Sequence, residues 1–251
     1  MYDRIDRGSP EPATLYFERS FLKGKEIFYR ISIVRIPLAN QTVLEVGCGS
    51  GGTLSYFKEK GCPITGLDPN YKNIQYGHDV HDLNLHCGGI EKIDQILGDR
   101  DYFDFVILEQ TLEHLSDPIS ALKMLRKRLK PDGVMYIGVP GFLDICRRYD
   151  GDLRRYLEFT HLVHFTLSSI TSMLAIAGFE LIYGNENIHA VARVSPTISS
   201  QHNNECVKLL NYVGDLKLKY YSTRRIIKKL TFIYPIWVLG YVRSLVTGIS
   251  K

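Results

Sequence analysis

Cysteine is scarce in this sequence of 251 residues, and its five cysteines are odd in number and widely scattered. None of them forms a C-x-x-C pair, so the sequence predicts neither a disulfide framework nor a zinc ribbon. A reducing compartment fits this usage best. The five are Cys48, Cys62, Cys87, Cys146 and Cys206.

Long hydrophobic runs are also missing from the first part of the chain. The opening residues lack the apolar stretch of a signal peptide, and no early segment is long enough to span a bilayer. The composition, 45% apolar and 23% charged, excludes a disordered or collagen-like chain. We therefore expect a folded, cytoplasmic protein.

The net charge is small, at +4, but it is unevenly distributed. Residues 206–251 contain nine basic residues and one acidic residue, a net charge of +8, which leaves about −4 on the remaining 205 residues. A mildly acidic body with a basic C-terminal segment predicts that this segment meets an anionic surface, either a membrane or a nucleic acid.

Short apolar runs alternate with amphipathic stretches over most of the chain, a pattern typical of alternating strands and helices. The candidate strands are nearly continuous apolar runs, as expected for parallel strands covered on both faces. They are Thr42–Val46, Pro63–Leu67, Leu83–His86, Phe103–Leu108 and Val134–Val139. Candidate helices follow at Thr14–Ile31, Thr53–Lys60, Asn70–Gly77, Ile90–Leu97 and Pro118–Leu129, the last ended by a turn at Lys130–Gly133.

The pattern changes after this α/β alternation. A helix at Leu167–Ala177 precedes two apolar runs, Phe179–Tyr183 and Ile188–Val194, which predict an antiparallel hairpin around a Gly/Asn-rich turn. Five parallel strands and this hairpin make a seven-stranded mixed α/β sheet with helices on both faces. We divide the chain into an N-terminal helical cap segment (1–39), the α/β domain (40–195) and a basic, apolar, helical C-terminal extension (205–251).

A glycine-rich turn joins the first strand to the following helix. Its glycines let a ligand approach the backbone, and the free N–H groups of the helix N-terminus favour anionic groups. Gly47, Gly49 and Gly52 also fit the G-x-G-x-x-G dinucleotide fingerprint, so the glycines alone leave a nicotinamide cofactor and another nucleoside open. Glu45 helps to choose between these two kinds of ligand. A carboxylate in a strand of valine and leucine is costly to bury unless it meets a hydrogen-bond donor or a cation.

This stretch resembles the first motif of the class I S-adenosylmethionine-dependent methyltransferases, which reads acidic-x-Gly-x-Gly-x-Gly. The matching residues are Glu45, Gly47, Gly49 and Gly51, with Cys48 inside the loop. The resemblance covers about residues 40–195. It implies a Rossmann-like fold, S-adenosyl-L-methionine as the cofactor, and these five residues as cofactor-binding candidates.

The turns after the second and third strands extend the resemblance. Asp68 and Pro69 end the second strand, where a carboxylate can accept both ribose hydroxyls of a nucleoside, so we assign Asp68 to the ribose. A helix N-cap before Asn70 is the alternative role, and both roles are compatible. Gly89 and Ile90 follow the third strand, where the family has its adenine contacts.

The run from Phe103 to Pro118 resembles the F-D-x-V…L-E-H-x-x-D-P motif of the branch that includes quinone and polysaccharide O-methyltransferases. Within it, Glu109 and Gln110 are further cofactor-binding candidates. Parts of that branch carry E-x-x-E-H and are thought to hold a divalent metal there. In this chain Gln110, a neutral and poor ligand, replaces the first glutamate, so we expect no metal.

Three histidines are candidates for a catalytic base. His114, His161 and His164 fall near the carboxyl ends of strands, where ligands gather in open α/β sheets. An alcohol acceptor needs a base to remove its proton, so we take these histidines and Glu113 as catalytic candidates. A helix cap or a packed ring is the alternative for any single histidine. In the family, the stretch that corresponds to Phe142–Phe159 lies over the acceptor pocket, and its arginines, aspartates and tyrosines suit an anionic or hydroxyl-rich acceptor.

The C-terminal segment combines basic residues with aromatic and aliphatic ones. Its apolar run is long enough for a membrane span, but Pro235, Gly240 and Arg243 argue against one, and its composition fits a segment that lies in a membrane interface. The alternative is a helical pair that packs on the domain or forms a homodimer. We expect no nucleic acid partner, because the basic residues adjoin an aliphatic run. Localisation is therefore predicted as cytoplasmic, either free or peripheral to the inner face of the membrane.

The motifs together predict a methyltransferase that O-methylates a hydroxyl of a small-molecule, glycan or lipid-linked acceptor. Two alternatives stay open. A nicotinamide-dependent oxidoreductase is disfavoured by Glu45, by the L-E-H run and by the terminal hairpin. A non-catalytic cofactor-binding scaffold is disfavoured by the intact glycine motif and Asp68.

Overall fold

A seven-stranded mixed sheet forms the centre of the computed structural model, which describes residues 13–98, 102–157, 160–195 and 208–216. The strands are β1 (Val43–Val46), β2 (Ile64–Asp68), β3 (Leu85–Cys87), β4 (Phe103–Glu109), β5 (Leu129–Gly138), β6 (Phe179–Tyr183) and β7 (His189–Val194). Their order is β3-β2-β1-β4-β5-β7-β6. The first five are parallel, and β7 runs antiparallel to both β5 and β6. The predicted mixed sheet with a C-terminal hairpin is confirmed.

The helices follow the strands in the predicted alternation. They are α1 (Ala13–Ile33), α2 (Gly52–Glu59), α3 (Tyr71–His81), α4 (Ile93–Ile96), α5 (Pro118–Arg128), α6 (Ile145–Arg148), α7 (Leu153–Tyr156) and α8 (Leu167–Ala177). Short 3-10 turns lie at Ile90–Lys92, Leu112–His114 and Phe142–Asp144. Residues 208–216 are also helical. No helix among the described residues is both long and apolar enough to cross a membrane.

Two predicted boundaries differ from the structure by four residues or more. The turn expected at Lys130–Gly133 lies inside β5, where the pairing with β4 is irregular between Phe103 and Phe105. Helix α3 continues four residues past its expected end at Gly77. A glycine suits this position because a side chain there would collide with the backbone oxygen of Ser50, so Gly77 serves close packing instead of ending the helix.

Each face of the sheet carries its own apolar core, because successive side chains of a strand point to opposite faces. One core contains Val106 and Leu108 of β4 together with residues of α5 and α8. The other contains Phe105 and Ile107 of β4 together with residues of α1 and α2. We call the second face the α1 face, and the functional residues described below project from it.

The described residues fall into two compact units. Those of Met1–Phe142 and Phe159–Asn203 form the first unit, which holds the sheet, and those of Leu143–Glu158 and Asn204–Lys251 form the second. The segment boundaries predicted at residues 39/40 and 195/205 stay predictions. The basic run from Arg224 onward lies outside the described residues.

Asp104 ties three segments together at the amino-terminal edge of the sheet. Its Oδ2 accepts hydrogen bonds from the Thr42 backbone N–H (2.9 Å), the Thr42 hydroxyl (2.7 Å) and the Lys130 ammonium (2.7 Å). Partial burial by itself raises the pKa of this carboxyl, but the Lys130 and Thr42 donors outweigh it and hold the pKa below its ordinary value.

We predict that Asp104→Asn lowers the free energy of unfolding by about 1–3 kcal/mol near neutral pH, because donors to a charged acceptor are lost. Because the folded pKa is depressed, this stabilisation is complete above the unfolded pKa of about 4 and is lost as the pH falls through the folded pKa. Urea denaturation of both proteins at several pH values measures it. Asp132→Asn, at an exposed acid near Lys130, is the control and should have little effect. An equal loss of stability in both variants would contradict the role of Asp104.

Candidate functional site

A cavity of about 300 Å³ lies at the carboxyl end of the parallel strands. The strand order reverses between β1 and β4, and ligands of open α/β sheets bind at such a switch point. The cavity is lined by residues of α1, of the turn after β1, and of the end of β4. They are Tyr16, Arg19, Ser20, Lys23, Glu45, Gly47, Cys48, Thr53, Glu109 and Gln110. Five of the predicted cofactor-binding residues are therefore brought together: Glu45, Gly47, Cys48, Glu109 and Gln110.

The turn after β1 has backbone conformations and close contacts that only glycine fits well. Gly47, Gly49 and Gly51 all have positive φ values, of 78°, 54° and 81°, which favour glycine. A side chain on Gly47 would also collide with the Thr111 side chain, whose hydroxyl donates to the Val46 carbonyl (3.0 Å). The turn then enters α2 with Gly51 as its N-cap. Gly47 and Cys48 of this turn line the cavity, whereas a side chain on Gly49 would collide with the ring of Tyr16 from α1.

Glu45 is the most unusual residue of the site. It is only 2% exposed, and its Oε2 has no hydrogen-bond partner. Burial raises the pKa of this carboxyl well above its ordinary value, and the nearby carboxylates of Glu109 and Asp68 raise it further. Burial therefore favours the protonated form of Glu45. A buried polar atom without a partner at a cavity wall is a place for a ligand group.

Asp68, at the end of β2, forms a hydrogen bond with the same turn. Its Oδ2 accepts from the Gly49 N–H (2.8 Å) and its Oδ1 from the Asn70 N–H (2.8 Å). The N-cap of α3 is Asn70, whose side chain accepts from the N–H groups of Lys72 and Asn73, so the alternative role of Asp68 as that cap is wrong. Burial raises the pKa of Asp68, although these two backbone donors oppose the rise.

The remaining cofactor candidates lie along the neighbouring strand ends. The Gly88 N–H donates to the Asp68 carbonyl (3.0 Å), which holds the turn after β3 beside the end of β2. Gly89 is the N-cap of the 3-10 turn that begins at the buried Ile90. Asp68, Pro69, Gly89 and Ile90 are not among the residues that line the cavity. Their predicted contacts with a nucleoside stay predictions.

Helix α1 contributes a wall of the cavity that the sequence did not predict. Tyr16, Arg19, Ser20 and Lys23 lie three or four residues apart and so share one face of the helix. Burial, together with the nearby charge of Asp68, raises the pKa of Tyr16 to about 12, so its phenol stays protonated. A tyrosine followed by two basic residues at helical spacing was the available signal, but the segment carries no sequence motif.

The end of β4 places two polar side chains at the cavity. Gln110 has a positive φ of 50°, which is uncommon for a residue other than glycine and is often found at functional sites. Its backbone N–H donates to the Gly138 carbonyl (2.7 Å). The Glu109 Oε1 lies 3.8 Å from the Lys23 ammonium, so an ion pair joins β4 to α1 across the cavity.

The predicted catalytic residues also come together, although none of them is among the residues that line the cavity. The rings of His114 and His161 lie 5.0 Å apart between centroids, and those of His161 and His164 lie 6.2 Å apart. Glu113, beside them, is 1% exposed. Burial lowers the pKa of His164, which keeps its imidazole neutral at neutral pH.

Three of these residues have the geometry of a metal site. One ligand atom from each of Glu113, His114 and His161 lies within 4.8 Å of the other two. His114 Nδ1 is 2.9 Å from the Thr160 carbonyl, so it donates there and leaves Nε2 as the ligand atom. One carboxylate and two imidazoles fit a divalent transition metal but do not fit Mg²⁺, which prefers oxygen ligands.

Comparison with known proteins identifies the family. A family model described as a methyltransferase domain matches residues 23–183, more than half of the chain. The ubiquinone biosynthesis O-methyltransferase of Caulobacter vibrioides is 30% identical over 113 residues, 44% of this chain and 45% of that protein. The protein of the same name from Rhodopseudomonas palustris is 29% identical over 105 residues, 40% of each chain. This chain therefore spans less than half the length of these curated relatives.

Solved structures agree on the fold. The S-adenosylmethionine-bound amino pentose methyltransferase of Micromonospora echinaspora superposes with a TM-score of 0.55 at 18% identity, over 72% of this chain and 95% of that one. A methyltransferase of Methanosarcina mazei gives 0.53 at 18% identity, over 66% and 97%. The glycine turn, the buried acid of β1 and the matched domain lead to one conclusion. The chain belongs to the family of S-adenosylmethionine-dependent methyltransferases.

Proposed function

We propose that this chain transfers the methyl group of S-adenosylmethionine to a hydroxyl oxygen of a small-molecule, glycan or lipid-linked acceptor. The observation that carries the proposal is the cavity at the switch point, whose wall combines Gly47 and Cys48 of the glycine-rich turn with the unpartnered Oε2 of Glu45. Ligand sites are typically concave, with a few placed polar groups. S-adenosylmethionine supplies an electrophilic methyl group on a positively charged sulfur.

The residues of the cavity suit this cofactor. The protonated form of Glu45, which burial favours, can donate a hydrogen bond to it, and Gly47 presents no side chain to it at the cavity wall. Asp68, which already receives two backbone donors, keeps lone pairs for ribose hydroxyls. Pro69, Gly89 and Ile90 complete the proposed nucleoside contacts. In this view Arg19 of α1 offers a cation to the carboxylate of the amino acid part.

The acceptor is proposed from its chemistry. The matched curated relatives are named as O-methyltransferases of ubiquinone biosynthesis, and a structural neighbour is named as an amino pentose methyltransferase. A phenol or an alcohol needs a base for its proton, and His114, His161, His164 and Glu113 were proposed from the sequence for that role. The arginines of the segment between residues 142 and 159 would suit an anionic or hydroxyl-rich acceptor.

We predict that Asp68→Ala weakens binding of S-adenosylmethionine by about 1.5–3 kcal/mol, because ribose hydroxyls lose a charged acceptor. Isothermal titration calorimetry with S-adenosylmethionine measures it, and NAD titrated in parallel should show no binding. Asp79→Ala, which removes an exposed acid of α3, is the control. Equal affinity of Asp68→Ala and wild type would remove Asp68 from the ribose site, and tight binding of NAD would favour an oxidoreductase.

We predict that methyl transfer persists after divalent metals are removed with EDTA, because Gln110 stands where the metal-binding members carry a carboxylate. Transfer of a labelled methyl group from S-adenosylmethionine to catechol, with and without the chelator, is the measurement. Loss of transfer with EDTA and its recovery with Mn²⁺ would instead make Glu113, His114 and His161 a functional metal site.

We further propose that the C-terminal segment attaches the protein peripherally to an anionic membrane surface, and that it has no nucleic acid partner. Seven of its cations lie between Lys208 and Lys229, followed by an apolar run with aromatic residues. Each cation near an anionic leaflet contributes about 1 kcal/mol, within a Debye length. Packing on the domain or a homodimer is the competing arrangement.

We predict that the protein co-sediments with phosphatidylserine-containing vesicles, and that the binding weakens at high salt without vanishing. Replacing Arg224, Arg225, Lys228 and Lys229 by alanine should reduce it strongly, because four interfacial cations are lost. A matched control replaces Lys58, Lys60, Lys72 and Lys92 of the first unit, which should have little effect. A wild-type protein that ignores the vesicles, or a tail variant that changes only the oligomeric state in gel filtration, would refute the membrane proposal.

A further inference from the structure

A row of polar side chains crosses three strands on the α1 face. In β4, Glu109 follows Phe105 and Ile107, which belong to the core on that face. Gly138 of β5 is paired with Glu109 on one side and with His189 of β7 on the other. Tyr136, two residues before Gly138, projects from the same face.

Gly138 leaves the space in which these groups meet. A Cβ atom on Gly138 would collide with the Glu109 carboxylate and would lie 3.0 Å from the Tyr136 hydroxyl. Both oxygens therefore occupy the volume that a side chain would fill. The Tyr136 hydroxyl is 2.7 Å from His189 Nδ1. A glycine at this register position lets the tyrosine bridge the glutamate and the histidine.

The direction of the hydrogen bonds follows from chemistry. The Asn187 amide nitrogen can only donate, and it lies 3.2 Å from His189 Nε2, which must accept. The neutral ring then carries its proton on Nδ1 and donates to the Tyr136 oxygen. The phenolic hydrogen is left to point at the Glu109 carboxylate, against which the hydroxyl lies. Burial, helped by the Glu109 charge, raises the pKa of Tyr136 well above its ordinary value, so this hydrogen stays on the phenol.

The two glutamates of the cavity lie in unlike environments. Glu45 is almost fully buried with an unpartnered oxygen, and its protonated form is favoured. Glu109 faces a tyrosine donor and the Lys23 ammonium, and donors of this kind favour the ionised form. Paired carboxyl groups in unlike environments commonly divide into an acid and a base.

We propose that Glu109 is the catalytic base of the methyl transfer, and that Tyr136 and His189 are positioning residues that hold its carboxylate ionised and aimed into the cavity. The inference rests on the function proposed above. The acceptor oxygen forms its bond to the methyl carbon as the bond from that carbon to sulfur breaks, and the electron pair of the broken bond remains on sulfur. The hydroxyl proton passes to Glu109 and from there to solvent through the mouth of the cavity.

The charged and titratable groups near Glu109 determine its pH behaviour, and Glu26 of α1 also pairs with Lys23 (2.7 Å). From α1, Lys23 faces it directly, and Arg19 and Tyr16 line the same cavity. Glu45 faces it from β1, and Tyr136 faces it from β5 with His189 of β7 behind. The cations and the tyrosine favour the carboxylate form of Glu109, and the protonated form of Glu45, which burial favours, adds no opposing charge.

The first experiment measures the ionisation of the Glu109 carboxyl group in the absence of a methyl acceptor. The protein is labelled with glutamate carrying ¹³C at the side-chain carboxyl, and its complex with S-adenosylhomocysteine is titrated by NMR. The Glu109 resonance is assigned by its absence in Glu109→Gln. We expect a carboxylate at neutral pH, and a titration that moves to higher pH in Tyr136→Phe because a donor to the charged form is lost. A protonated Glu109 at neutral pH overturns the proposal.

The second experiment measures methyl transfer to catechol and to methyl glucoside, a phenolic and an alcoholic probe. Glu109→Gln should lower kcat by about 100-fold or more, with the larger loss on the less acidic alcohol, and should abolish the acid limb of the pH profile. Tyr136→Phe should shift that limb to higher pH. Its affinity for S-adenosylhomocysteine should stay within a few-fold of wild type, as should that of Glu109→Gln.

Glu26→Gln is the matched control, because Glu26 also pairs with Lys23 (2.7 Å) but is not among the residues that line the cavity. It should leave kcat unchanged.

Full activity of Glu109→Gln beside an inactive His161→Asn or His164→Asn would assign the base to the histidines and overturn the proposal. A loss of cofactor affinity in Glu109→Gln as large as its loss of rate would make Glu109 a cofactor ligand instead. A wild-type protein that binds no S-adenosylhomocysteine would refute the proposed function itself.

Discussion

The burial of one carboxyl group at the carboxyl end of β1 constrains the whole site. Glu45 lies in a strand whose other residues are fully apolar, and a charge there would cost several kcal/mol without a partner. Burial favours the protonated form of the group, and the adjacent turn has glycines at positions with positive φ. Asp68 then holds that turn through a backbone hydrogen bond. One oxygen of Glu45, Oε2, is left without a hydrogen-bond partner, and Glu45 lies in the cavity wall.

The sheet could be predicted from the sequence because its physical cause is local. Near-continuous apolar runs mark strands that are covered on both faces, and glycine and proline mark the turns between them. The sequence pattern gave wrong element boundaries where glycine or proline does not mark a turn. Gly77 allows close packing inside α3, and Lys130–Gly133 stays within β5 although its composition is that of a turn. A helix end and a packing contact look alike in a single sequence.

The site was predictable where motifs are contiguous and unpredictable where it is assembled from distant segments. The turn from Glu45 to Gly51 is one continuous signal. The contact of Tyr136 with His189 depends on the register between β5 and β7. The wall from α1 depends on where that helix crosses the sheet. No short sequence pattern encodes either of them. The proximity of His114 to His161 was suggested only by their places at strand ends. The position of Glu109 toward the α1 face follows from strand alternation once the sheet is known.

Helix α1 gives the site a wall whose sequence is independent of the sheet. Four of the ten residues that line the cavity come from this one helix, and the others come from strand ends, the glycine turn and the start of α2. Substitutions on its inward face can therefore reshape the cavity while the strands, the two cores and the turn keep their sequence. Related proteins with the same sheet can diverge in ligand preference through this helix first. In such a fold, ligand selectivity can change through one helix while the strands and the turn at the site stay the same.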